Sequence, residues 1–366
     1  MTNKIRKAVN NIFELNLKVK KSEPILVFTD GFNKELKKIG KMVYEAGKEY
    51  SSNMKYIEFH STGCHGTEPP EELWEAAFGS HTVNNFKKNK LLKLLLQKKI
   101  GEKRLAEVES IIKSNKQDAV KAVIAISYYS TSHTRFRHLL NKICGTRYAS
   151  MPLFDEKMLS GAMTVDWKNM HKRTKAIARI VNRYENIEIK CPKGTSLSFS
   201  IKGRKALSDT GIITKPGQFS NLPAGEVYLA PLEGTAKGKL VLQWAPTRKL
   251  KSPVIVYVEK GMVLKLEGKE PYVKMLEDKL NEKKENRNIA ELGIGTNDKA
   301  KRPDNILESE KIMGTIHLAF GDNSSFGGKV STPFHQDFVF FNPTVKLMSK
   351  GGKQRLLIEK GKLLLK

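Results

Sequence analysis

The chain has 366 residues, 39% of them hydrophobic, with charges spread along its length; this excludes a disordered or low-complexity protein and points to two domains with sizeable cores. Its 65 Lys and Arg against 38 Asp and Glu give a formal charge of +27. Lysine dominates and acids are interleaved, which predicts a lysine-rich solvated surface rather than the Arg- and aromatic-rich stripe of a specific nucleic-acid binder.

The first residues, 1–21, are charged and periodic without the apolar core of an export signal, and no run reaches the length of a membrane span. Cys64, Cys144 and Cys191 are too few and too scattered for a disulfide framework, so a cytoplasmic protein without membrane partners is expected. Ile25 to Phe28 predicts a buried strand, Lys34 to Tyr50 a helix and Lys55 to Phe59 a second strand. His60, Cys64 and His65 follow in a loop that lacks a fourth partner at metal-ligand spacing. The segment from Asn84 to Lys116 predicts a lysine-rich helical stretch whose leucines pack on their own domain, with a basic amphipathic helix lying on a membrane or on nucleic acid as the alternative.

Ala119 to Ile126 gives another apolar strand, His133 to Cys144 a helix, and Trp167 to Tyr184 a further helix. Alternating strands and helices predict an α/β domain over residues 1–185 with a mostly parallel sheet. No Gly-rich dinucleotide fingerprint or phosphate loop follows any of these strands, so no nucleotide cofactor is expected.

From Ile187 the pattern changes to short alternating strands divided by Gly and Pro: Ile187 to Lys190, Ser196 to Ile201, Glu226 to Leu229, Lys239 to Trp244 and Val254 to Val258. A turn is expected at Pro253, a helix over Lys269 to Lys284 and a closing hairpin over Leu356 to Leu365. Residues 186–366 therefore read as an α+β domain, mostly antiparallel, that carries a metal site.

That site is drawn from side-chain alternation. His335 and Asp337, at i and i+2 of one strand, share a face while Phe334, Gln336 and Phe338 point the other way. His317 falls on the face of Thr315 and Ala319, and Glu291 on that of Gly293 and Gly295. Glu226 lies opposite Val227 and Leu229 in an apolar setting where a carboxylate needs a partner. Five such donors suit two adjacent divalent ions with bound water. Glu310 is a reserve ligand and Glu308 reads as part of a charged turn. The Gly- and Ser-rich stretch from Gly321 to Thr332 joins two ligand strands and can shape a pocket.

The segments Leu222 to Val227, Ala290 to Asn297, Gly314 to Gly321 and His335-Gln336-Asp337, with Ser130 to Arg135 and Gly145 to Pro152, resemble the aminopeptidase T family of thermophilic metalloproteases over most of the chain. The resemblance implies that Glu226, Glu291, His317, His335 and Asp337 hold two zinc or cobalt ions in a dimeric, leucine-type aminopeptidase acting on peptides, with Glu226 or Glu291 as bridging or base carboxylate. One departure is Ser324, which stands where the family's peptidases carry tyrosine. The same superfamily resemblance extends to dihydroxypyridine ring-opening dioxygenases, in which iron is held by two histidines and an aspartate and the position of Glu291 carries histidine. A mononuclear Fe(II) ring-cleaving enzyme, or an inactive basic binding protein of the same fold, are the alternatives implied.

Overall fold

The computed structural model describes residues 2–365. The chain forms two compact units, one comprising Met1–Thr164 with Gly211–Pro223 and the other Val165–Thr210 with Ala224–Lys366.

The first unit is built on a five-stranded, wholly parallel sheet in the order Met54–Glu58, Ile25–Thr29, Ala122–Ser127, Arg147–Pro152, Phe219–Asn221. Ile25–Thr29 and Ala122–Ser127 are buried at every position, as expected of strands covered on both faces. Helix Lys34–Gly47 starts where the Asn33 side chain accepts the Leu36 N–H at 2.8 Å, an N-cap that ends the preceding turn. Strand Arg147–Pro152 lies in a stretch noted in the sequence only as a motif, and Phe219–Asn221 returns from much further along the chain. Both are short and interrupted by polar residues, which hides their period.

The lysine-rich stretch is three helices, Ser80–Lys88, Leu92–Leu96 and Glu102–Ser114. The breaks between them include Lys90 and Lys98, both in the left-handed region at φ 56°. Leu91, Leu92 and Leu95 are buried with Trp74, Phe78, Phe86 and Phe136 in this unit's own core. Their apolar face is thus packed within this unit, with Leu94 and Leu96 partly buried at its margin. Among the described residues no helix is long and apolar enough to cross a membrane.

The second unit holds two antiparallel sheets. One has eight strands, ordered Met262–Glu267, Arg248–Glu259, Lys237–Ala245, Ser196–Ser200, Asn186–Lys190, Thr344–Met348, Gln354–Glu359, Lys362–Leu363. The other has five, ordered His335–Phe340, Ile316–Gly321, Ile289–Gly295, Glu226–Leu229, Leu207–Asp209. They share one core, in which Ile189, Leu197, Leu240, Val256 and Leu347 of the larger sheet meet Leu229, Leu292, Ile294, Leu318 and Phe338 of the smaller. Helix Trp167–Val181 adds Ile177, Ala178 and Val181 to this core, which is why the division falls after Thr164 and not near residue 185. Segment Gly211–Pro223 goes back to the first unit because it supplies that unit's edge strand and because Asn16 Nδ2 donates to the Gly211 carbonyl at 2.9 Å.

One expected turn is absent. Pro253 lies inside the long strand Arg248–Glu259, beside the register shift between Leu242 and Trp244 of the neighbouring strand, where the missing N–H leaves no ladder bond broken.

Candidate metal centre

The five-stranded sheet has one greasy face and one polar face, and the register shows why. Pairing sets Gly295 opposite Glu226, Gly293 opposite Tyr228 and His317, Ala319 opposite Glu291 and Asp337, and Gly321 opposite His335. Alternation turns Val227, Leu229, Leu292, Ile294, Ile316, Leu318, Phe320 and Phe338 into the core, so Glu226, Glu291, His317, His335 and Asp337, in the alternate rows, emerge on the other side. All five expected donors are on this face, over a floor of Gly293, Ala319 and Gly321.

The small residues are required by contact. A Cβ on Gly293 would lie 1.9 Å from His317 Cε1 and 2.0 Å from its Nε2. At Gly225, with φ +120°, a Cβ would meet Met170 Sδ at 2.7 Å and Asn297 Cβ at 2.8 Å, so glycine there lets the chain enter the Glu226 strand flush against its neighbours.

Distances define a continuous chain of donors. His317 Nε2 lies 3.5 Å from Glu226 Oε2 and 3.3 Å from Glu291 Oε1; His335 Nε2 lies 3.5 Å from both Glu291 Oε2 and Asp337 Oδ1. Glu291, His335 and Asp337 each offer one ligand atom within 4.8 Å of the others. His335 Nδ1 is 2.8 Å from the Asp322 carbonyl; donation to that oxygen turns Nε2 toward Glu291 and Asp337 as the ligand atom. Glu226 Oε2, His317 Nδ1 and Asp337 Oδ1 are buried without a hydrogen-bond partner. Orphaned buried oxygens and an imidazole nitrogen, in a set of carboxylates and histidines, fit a divalent cation of the first transition row.

Sequence reasoning missed Lys311. Fully buried, it sets Nζ 2.6 Å from Glu226 Oε1 and 3.0 Å from Glu310 Oε2. Nothing in its sequence context, among charged neighbours after a short helix, distinguishes it from a surface lysine. Glu310 therefore serves the lysine, and Glu308 accepts the Lys301 and Arg302 N–H groups at 2.9 and 3.3 Å, as a turn carboxylate does. Ser324 is exposed and donates to Asp322 Oδ1 at 2.9 Å. Tyr228 and Phe326 pack edge to face at 5.8 Å, and Phe326 meets the His335 ring at 6.1 Å, giving the site an aromatic wall. In the first unit, His65 Nδ1 accepts the Ser130 N–H at 3.0 Å while His60 and Cys64 are exposed, which makes that trio a loop brace and not a metal site.

Charges in the cluster are strongly linked. Burial alone would lower both imidazoles, but Glu291, Glu226, Glu310 and Asp337 push His317 up to about 9, and Asp337, Glu291 and the Asp322 carbonyl push His335 up to about 10. For Asp337 burial acts upward, yet His335, His317 and Lys311 hold it well below the usual carboxylate range. Burial lifts Glu310 to about 8 despite Lys311. In the metal-free protein the imidazoles are thus protonated at neutral pH. A ligand nitrogen must shed its proton, so divalent-metal binding should release protons and tighten as pH rises toward 9–10, by up to about tenfold per unit. Calorimetry in buffers of different ionisation enthalpy measures this directly; binding without proton release would show that neither histidine is a ligand.

Comparison with known proteins adds the lineage. The family model described as NicX, 2,5-dihydroxypyridine 5,6-dioxygenase, matches residues 90–364. A 2,5-dihydroxypyridine 5,6-dioxygenase of Pseudomonas putida is 22% identical over 199 residues, which are 49% of this chain and 55% of that protein, so the match spans about half the length of the relative. The solved structure of 2,5-dihydroxypyridine dioxygenase from Pseudomonas putida superposes with a TM-score of 0.71 at 16% identity, covering 98% of this chain and 96% of that one. Wild-type AmpT from Thermus thermophilus superposes with a TM-score of 0.60 at 13% identity, covering 99% of each chain. The likeness to aminopeptidase T expected from the sequence is thus present in the fold, while the sequence matches fall on its dioxygenase relatives. Because the model spans most of the chain, this protein belongs to the NicX family, that of 2,5-dihydroxypyridine 5,6-dioxygenase.

Proposed function

We propose that the chain is a metal-dependent dioxygenase that opens an electron-rich, hydroxylated aromatic or pyridine ring, rather than the aminopeptidase that the sequence resemblance put first. The observation that carries this reading is the three-donor group Glu291, His335 and Asp337 on one sheet face of a chain belonging to the NicX family. Those three residues would hold the ion, ferrous iron in this reading, which when bound supplies activation of dioxygen and a docking point for a ring hydroxyl.

The chain's own residues do the rest. The Asp322 carbonyl fixes the His335 ring, and Asp337 and Glu291 keep the His335 Nε2 edge surrounded by negative charge. His317, between Glu226 and Glu291, holds a proton at Nε2 beside the cluster. The Phe326 ring meets the His335 ring edge to face at 6.1 Å, where it can offer an edge or face to a planar substrate. Glu291 in place of a histidine makes the donor set richer in carboxylate than the resemblance implies for the dioxygenases, and a harder, more oxygen-loving ion is favoured accordingly.

A second reading, metal-assisted peptide hydrolysis, is supported by one particular: Glu226 and His317 continue the donor chain on the same face, which keeps the full set that the aminopeptidase resemblance calls for. An oxygen electrode separates the two. Protein loaded anaerobically with Fe(II) should consume one O2 per 2,5-dihydroxypyridine or dihydroxybenzene ring, with loss of the ring absorbance and no external reductant. Release of the chromophore from a leucyl anilide by the zinc or cobalt form, without oxygen uptake by the iron form, would replace the first reading by the second.

A further inference from the structure

Lys311 is the side chain that this reading leaves without a task. It has no solvent exposure, and its ammonium sits between two carboxylates, 2.6 Å from Glu226 Oε1 and 3.0 Å from Glu310 Oε2. A lysine in such a place is costly unless its charge is matched, and removing either carboxylate would leave it stranded. The lysine also consumes one oxygen of Glu226. The other oxygen lies 3.5 Å from His317 Nε2. A divalent ion gripping Glu226 and His317 would therefore share a carboxylate with a fixed ammonium, and like charges that close in a buried site repel strongly. At the other end of the donor chain no fixed ammonium among the described residues holds a carboxylate at hydrogen-bond distance: Glu291, His335 and Asp337 converge, and the group facing both carboxylates is the His335 imidazole, 3.5 Å from each, which can give up its proton to an ion.

We propose that Lys311 is a built-in cation that takes the place of a second metal ion beside Glu226, so that the centre accepts a single divalent ion at Glu291, His335 and Asp337. The inference rests on the metal-centre reading above and replaces the pair of ions expected from the sequence. Lys311 is in this account a positioning residue: it neutralises Glu226, which in turn holds the His317 ring, and it never meets the ion.

Equilibrium dialysis of the metal-free protein against Mn(II) or Co(II), with elemental analysis of the bound ion, tests it without reference to turnover. The wild-type chain and Lys311→Arg should each take up one equivalent. Lys311→Met, with Glu226, Glu310 and His317 released from the ammonium, should take up two. Should Lys311→Met fail to fold, Lys311→Met with Glu310→Gln, which removes one buried charge of each sign, serves instead and should likewise take up two equivalents. Two equivalents in the wild type, or one in a folded Lys311→Met or in the double variant, would each overturn the proposal while leaving the dioxygenase assay untouched. No uptake at all by the wild-type chain would overturn the metal-centre reading together with it.

Discussion

Asp337→Ala should abolish metal retention: affinity for a divalent ion is expected to fall by more than about 100-fold, beyond the 10–100-fold typical of losing an outer hydrogen-bond partner. Asp337 is one of the three donors that converge, and its Oδ1 is buried with no hydrogen-bond partner to fall back on. The same substitution removes the leading source of the upward shift at His335. In the metal-free variant the His335 imidazole should thus titrate well below its native value of about 10, with Glu291 and the Asp322 carbonyl left to support its charge. Elemental analysis reads the first effect and an NMR titration of the imidazole the second. Retention of wild-type metal content would mean that the ion, if any, sits elsewhere on the sheet.

Gly293→Ala should be nearly as damaging without touching a donor atom. The new methyl would land inside the His317 ring, 1.9 Å from Cε1, so either the imidazole leaves its place or the two strands part. His317 is buried on all sides and Gly293 is paired directly with it, which leaves little room for either escape. Overpacking of this kind costs about 1–3 kcal/mol. Denaturant unfolding should register that loss, and the contacts of His317 with Glu226 and Glu291 should be broken with it. A variant with native stability and an unmoved His317 resonance would contradict the packing described above.

Much of this could be read from the sequence because alternation is a strong constraint. His335 and Asp337 share a face only if they occupy a strand, and the flanking Phe residues say which face is buried; the same reasoning placed Glu291 above Gly293 and His317 beside Ala319, as found. Long apolar strands such as Ala122–Ser127 were legible for the same reason. What escaped was set by distant packing. Lys311 is polar by type and buried by circumstance, since its partners Glu226 and Glu310 come together only when the sheet forms. Three-residue strands, Leu207–Asp209 and Phe219–Asn221, are too short to show a period. The place of helix Trp167–Val181 depended on which core its Ile177 and Val181 enter, and a single amphipathic helix does not carry that information.

The fifth strand of the parallel sheet, Phe219–Asn221, has a consequence for the order in which the molecule can be made. As the polypeptide leaves the ribosome, the segment Val165–Thr210 emerges before the edge strand that completes the first unit. That intervening stretch contributes Ile177, Ile187 and Leu197 to a core whose other half, including Leu292 and Phe338, is synthesised later. Nascent chains must therefore hold a half-built hydrophobic surface until synthesis is nearly finished, and no single cut in the gene separates the two units cleanly.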